Sequence, residues 1–68
     1  MIAPASANAA LETLWQVMVE MAEAANDSVV LNQRTPTPSA SATIAQYSAD
    51  LVQLASAANV LVRFANTP

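Results

Sequence analysis

The side chains of this sequence that could do chemistry are carboxylates and hydroxyls. Neither kind has the neighbouring groups that a metal site or a catalytic site needs. Glu20, Glu23 and Asp27 are three and four residues apart, so on a helix they share one face. Their oxygens suit Ca²⁺ or Mg²⁺, but these ions take about six or more oxygen ligands, and one side of a helix supplies few. We therefore expect a solvated acidic face, and we predict no metal site and no cofactor.

The serines lack the neighbours that would make them nucleophiles. Ser48 and Ser56 would need a histidine as general base, and the sequence contains no His, no Cys and no Lys. Gly is also absent, which removes the loops that cradle phosphate groups. We predict that the chain is not an enzyme and that it has no catalytic residues.

Charge excludes two classes of partner. The formal net charge is −3, from five acids against Arg34 and Arg63, and such an acidic surface repels nucleic acid. The longest uncharged run of marked hydrophobicity, 51–62, is shorter than the about 20 residues that a membrane-spanning helix needs. The start of the chain has neither a basic segment nor an apolar core of a signal peptide. We predict no nucleic-acid partner, no membrane insertion and no cleaved leader.

The small size of the chain favours self-association. A chain of 68 residues forms at most one domain and buries only roughly 60% of its unfolded surface. Small domains usually add disulfides, a metal or oligomerisation to remain folded. The sequence has no Cys for a disulfide and no His for a metal site, so oligomerisation is the remaining way to stabilise the fold.

The stretch "RTPTPS" divides the chain into two helical segments. Pro36 and Pro38 remove two N–H donors and push the preceding residues out of the α region, so a helix arriving there must stop. Thr37 can then cap the next helix with Pro38 at its first position, although Ser39 or Ser41 could serve instead. The predicted elements are helix 1 over about 6–32 with Ser6 as its cap, a proline-rich turn over 33–38, and helix 2 over about 38–66.

Helix 1 has an apolar stripe and an acidic outer side. Its acids all fall opposite the stripe, which is typical of an amphipathic helix. The segment 26–30, "NDSVV", has low helix propensity, so a bend or fraying there is left open. For the patch that includes Trp15, core packing is favoured over binding of a partner helix. The residues predicted to hold the hairpin together are Leu11, Leu14, Met18 and Met21.

Helix 2 is apolar or small most of the way round. One heptad stripe collects Ala40, Ile44, Tyr47, Leu51, Leu54, Ala58, Leu61 and Ala65. The other positions are also mostly Ala, Val, Ser, Gln or Asn, and helices of that kind are buried. Helix 1 can cover one side only, so we expect copies of the chain to cover the other. The residues predicted to form that self-assembly interface are Tyr47, Leu51, Leu54, Ala58, Leu61 and Phe64. Asp50 and Arg63 should then find partners across a subunit boundary or face a wet channel.

The predicted fold is all-α, a two-helix antiparallel hairpin that assembles into a homo-oligomeric helical bundle or filament. Whether the assembly is closed or open is left undecided, because interface type and not composition determines closure. Two functions are compatible with the pattern. The first is a structural subunit that polymerises through its alanine-rich C-terminal helix. The second is a small dimeric adaptor or inhibitor that offers a hydrophobic groove to a partner helix.

The pattern resembles the axial subunits of type III secretion needles and flagellar-type filaments. The resemblance is carried by "RTPTPS" in the place of the family's turn and by "IAQYSADLVQLASAANVLVRFAN" in the place of its C-terminal helix. The prolines are spaced Pro36-x-Pro38 instead of the family's usual Pro-x-x-Pro. The resemblance implies helical stacking around a lumen, the C-terminal helix innermost, and extracellular location by leaderless export. Without it, a cytoplasmic location is expected.

Overall fold

The computed structural model describes residues 2–66, and nearly all of them are helical. Helix α1 is Pro4–Arg34 and helix α2 is Pro38–Ala65. No β-strand occurs within residues 2–66. The prediction of an all-α fold is therefore confirmed for this part of the chain.

The two helices lie side by side as a hairpin. At about 1.5 Å per residue, a helix of the length of α1, 31 residues, is about 46 Å long. The molecule measures 51 × 15 × 12 Å, so its longest dimension is little more than that of one helix. Since a short turn joins the helices, they run antiparallel along their whole lengths.

The turn follows from the two prolines. Thr35 and Thr37, each before a proline, have φ of −138° and ψ of 82° and 150°, outside the helical region. The Thr37 hydroxyl oxygen accepts a hydrogen bond of 3.0 Å from the backbone N–H of Ala40, which confirms its role as N-cap of α2. The backbone N–H of Thr37 in turn donates to Asn32 Oδ1 at 3.3 Å, so the end of α1 also positions the start of α2.

The ends of α1 lie two residues beyond both predicted bounds. The helix begins at Pro4, and the predicted cap Ser6 lies inside its first turn. Ala3 occupies the N-cap position and has no side-chain acceptor, and Pro4 at the first helical position favours this start because its φ is already helical. At the other end the helix continues to Arg34, and the Thr35 N–H donates to the Leu31 carbonyl at 2.9 Å. Helix α2 ends at Ala65, one residue before the predicted end.

Helix α1 is continuous through its weakest segment. Residues 26–30 are helical without interruption. The Ser28 hydroxyl donates to the Ala24 carbonyl at 3.2 Å, so it is satisfied within the helix. Packing against α2 thus outweighs the low intrinsic helix propensity of this segment.

A single seam of side chains joins the helices. Three of its residues are buried, with exposed fractions of 0% for Ala7, 8% for Met18 and 6% for Ala58. The rest of the seam is half-buried, and its residues recur every three or four positions, as in a coiled coil. On α1 the seam consists of Ala7, Leu11, Leu14, Met18, Met21, Ala25, Ser28 and Asn32, and on α2 of Ala40, Ile44, Tyr47, Leu51, Leu54, Ala58, Leu61 and Ala65.

Candidate functional site

The residues predicted to hold the hairpin together lie in the seam. Met18 is buried, and Leu11, Leu14 and Met21 are half-buried. Trp15, grouped with Met18 and Met21 by sequence, is 53% exposed and lies outside the seam. One companion helix covers only the seam positions of α1, so the apolar residues beside them remain in contact with solvent.

The residues predicted to bind other copies of the chain also lie on the side of α2 that faces α1. Ala58 is buried in the seam, and Tyr47, Leu51, Leu54 and Leu61 are half-buried there. Phe64 is half-buried next to the seam. The most apolar stripe of α2 is thus partly covered within one chain, and its contact with another copy stays a prediction.

The carboxylates and serines of the sequence do not form a reactive centre. Glu20, Glu23 and Asp27 are exposed on α1, and no group of three or more His, Cys, Asp or Glu side chains that could hold a metal occurs within residues 2–66. The hydroxyls of Ser48 and Ser56 donate to carbonyls one turn earlier in α2, at 2.9 and 3.0 Å. These serines act as small, internally satisfied side chains of a helix surface.

Asp50 has a partner within its own helix. Its Oδ1 accepts a hydrogen bond of 3.1 Å from Gln46 Nε2, one turn earlier. Asp50 as a residue is half-buried, and Arg63 is exposed. The Gln46 amide satisfies one acceptor of Asp50 in the single chain, and a partner across a subunit boundary stays a prediction.

Exposed apolar side chains surround the seam on both helices. Five exceed 45% exposure: Val52 at 67%, Leu31 at 62%, Trp15 at 53%, Val19 at 49% and Val60 at 46%. Scattered apolar residues are normal on protein surfaces, but here they flank one narrow seam along a rod. The periodicity of the sequence predicted the seam residues, and not these, as the contact surface. Their exposure follows only once the pairing of the two helices is known.

The hairpin has two flanks, one on each side of the seam. A shallow groove lies along one of them, which we call the groove flank. Its lining combines seam residues with residues that directly precede a seam residue, such as Val17 before Met18 and Ala57 before Ala58. Residues that precede the seam on either helix therefore share this flank. The full lining is Ala9, Ala10, Thr13, Leu14, Val17, Leu54, Ala57 and Leu61.

The opposite flank, which we call the Trp15 flank, is formed by the residues that directly follow a seam residue. On α1 these are Asn8, Glu12, Trp15, Val19, Ala22, Asn26, Val29 and Gln33, and on α2 they are Ser41, Ala45, Ser48, Val52, Ala55, Asn59, Val62 and Asn66. All of them are exposed, and Glu12 is the one charged residue among them. On the groove flank, by contrast, Glu20, Asp27 and Asp50 are acidic.

Comparison with known proteins assigns no function to either flank. The sequence matches no protein-family model, and no curated protein and no solved structure matches it. Within residues 2–66, neither helix has the length and apolar character that crossing a membrane requires. The interpretation of the two flanks therefore depends on their own geometry and chemistry.

Proposed function

We propose that this chain is a structural subunit that assembles with copies of itself. The observation that supports this most strongly is its excess surface. A compact protein of 7.1 kDa exposes about 4,100 Å², whereas the hairpin exposes 4831 Å². The difference, about 700 Å², is close to the roughly 800 Å² that each partner buries in a standard protein interface.

The shape of the hairpin supports the same proposal. Its radius of gyration is 15.4 Å, against about 11 Å for a compact domain of 68 residues. Three residues are buried within the described range 2–66, and all three have small or flexible side chains: Ala7, Met18 and Ala58. A seam this narrow gives little hydrophobic stabilisation, so burial between chains would supply the remainder.

In the assembly we propose, α2 lies towards the interior and the acidic side of α1 towards solvent. The outward positions of α2 are mostly Ala, Ser and Gln, which let another backbone approach closely, while α1 carries four exposed acids. The resemblance to secretion-needle and flagellar-type subunits favours an open, rod-like assembly exported without a cleaved leader. Polymerisation through α2 then uses its exposed residues, since its most apolar stripe is covered by α1.

Negative-stain electron microscopy of the purified chain tests this proposal. Rods would support a filament subunit, and small uniform particles with the mass of several chains would support a closed bundle. Particles with the mass of one chain, still helical by circular dichroism, would refute self-assembly.

A second function, a helix-binding adaptor, is favoured by the groove beside the seam. The groove is lined without any charged residue and exposes Val17, at 39%, and neighbouring alanines along about two helical turns. An amphipathic helix of another protein could lie there by its apolar face. Val17→Glu tests the adaptor function, because it should abolish binding of a partner helix in the groove and leave the pairing of two chains through the Trp15 flank intact.

A further inference from the structure

We infer that the Trp15 flank is the surface through which two copies of the chain make their first contact, packing face to face around a two-fold axis. This inference rests on the proposed self-assembly and adds the surface and its mode of pairing. The Trp15 flank holds half of the large exposed apolar side chains of residues 2–66: Trp15, Val19, Val29, Val52 and Val62.

The two flanks differ in exposure, and the Trp15 flank is the more exposed of the two. Ala24, Asp50 and Phe64, each directly preceding a seam residue, are half-buried on the groove flank. Every residue on the Trp15 flank is exposed, including Val52 at 67% and Trp15 at 53%. The Trp15 flank therefore offers more large apolar side chains for removal from water than the groove flank, five against three.

Charge points to a second copy as the occupant. The chain has a net charge of −3, so two copies repel each other unless their acids point away from the contact. The groove flank carries Glu20, Asp27 and Asp50, and the Trp15 flank carries Glu12, with Glu23 and Asp27 beside Val19 and Ala22 at its outer edge. A basic partner would be attracted to the groove flank, and the Trp15 flank, which carries fewer acids, is the side on which two copies repel each other less.

One polar group of the Trp15 flank is already satisfied within its own helix. The Ser48 hydroxyl donates to the Ile44 carbonyl at 2.9 Å, so covering it leaves no unsatisfied donor. Ala22, Ala45 and Ala55 leave room for a second helix between the larger side chains.

A two-fold contact of this kind closes on itself and gives a four-helix unit. The groove flank, with Val17, Leu31 and Val60 exposed beside it, stays outside that contact. Growth into a longer assembly would therefore proceed through the groove flank of paired chains.

Fluorescence of Trp15 tests the inference without any substitution, because the sequence contains one Trp. Quenching by acrylamide is measured over a dilution series, with sedimentation velocity on the same samples. We expect Trp15 to be shielded from acrylamide in samples that sediment as oligomers and to become accessible as they dissociate. Equal quenching in oligomer and monomer would overturn the inference while leaving self-assembly intact. A monomer at every concentration would overturn both.

Val52→Glu and Gln53→Glu provide the matched variants. The two residues are adjacent and exposed on α2, but Val52 lies on the Trp15 flank and Gln53 directly precedes a seam residue on the other. Burying the new carboxylate should raise the dissociation constant of Val52→Glu at least roughly tenfold, with Gln53→Glu close to wild type. Equal effects of the two variants would overturn the inference. If Val52→Glu loses its helical signal, the wild-type quenching series decides.

Discussion

The structure changes the expected effect of a charge at Ala58. Sequence pattern placed Ala58 in the contact between chains, where a charge would block assembly. The structure places it in the seam with 6% of its surface exposed. Ala58→Glu should therefore unfold the hairpin itself, because the new carboxylate must either be buried or force the helices apart.

The expected loss is large relative to the stability of so small a chain. Leaving a carboxylate uncompensated in the seam costs about 3 kcal/mol or more. Separation of the helices would instead expose the half-buried Leu54 and Leu61, each worth up to about 1.5–3 kcal/mol when fully buried. A domain of 68 residues has a total stability of about 3–10 kcal/mol, so either route removes much of it.

Ala49→Glu is the matched control, since Ala49 is an exposed alanine of the same helix and the substitution is identical. Its effect should be within about 0.5 kcal/mol. Urea unfolding followed by far-ultraviolet circular dichroism, at one fixed protein concentration, measures both. Equal losses for the two variants would refute the seam as described. If the Ala58→Glu variant folds fully and fails only to assemble, then Ala58 lies in the contact between chains, as the sequence pattern predicts.

Three further predictions concern the cap, the seam and the turn. Thr37→Ala should cost about 1 kcal/mol in urea unfolding, because the Ala40 N–H loses its acceptor, and Thr37→Ser should restore most of it. Met18→Ala should cost about 2–4 kcal/mol, since Met18 is 8% exposed, whereas Val30→Ala, at 39% exposure and outside both flanks, should cost much less; similar losses would contradict the assigned seam. Pro38→Ala should lower the thermal midpoint slightly, because the unfolded chain gains about 0.4–1 kcal/mol of conformational freedom; an increase would contradict its role at the start of α2.

The fold could be predicted from the sequence because its signals are local. Pro36 and Pro38 exclude a continuous helix, and Thr37 is the residue best placed to cap the second one, as the structure confirms. The heptad stripe of α2 that was identified by sequence coincides with its half of the seam. The start of α1 could not be decided in the same way, because Pro4 and Ser6 both give starting signals and the proline prevails.

The partner of each apolar stripe could not be predicted from one sequence. Helix α2 has apolar residues on several sides, and periodicity does not say which side a neighbouring helix takes. The turn connects α1 to α2 directly, so α1 covers the stripe of highest hydrophobicity, with Leu51 and Leu61. Residues such as Val52 and Trp15 are identified as available to another chain only when the register of the hairpin is known.

Sedimentation equilibrium of the wild-type chain, combined with circular dichroism over the same dilution series, tests the central claim most directly. The account predicts a mass that is a multiple of 7.1 kDa at high concentration, with dissociation and loss of helix on dilution. A single species of 7.1 kDa that retains its helical signal at every concentration would contradict it.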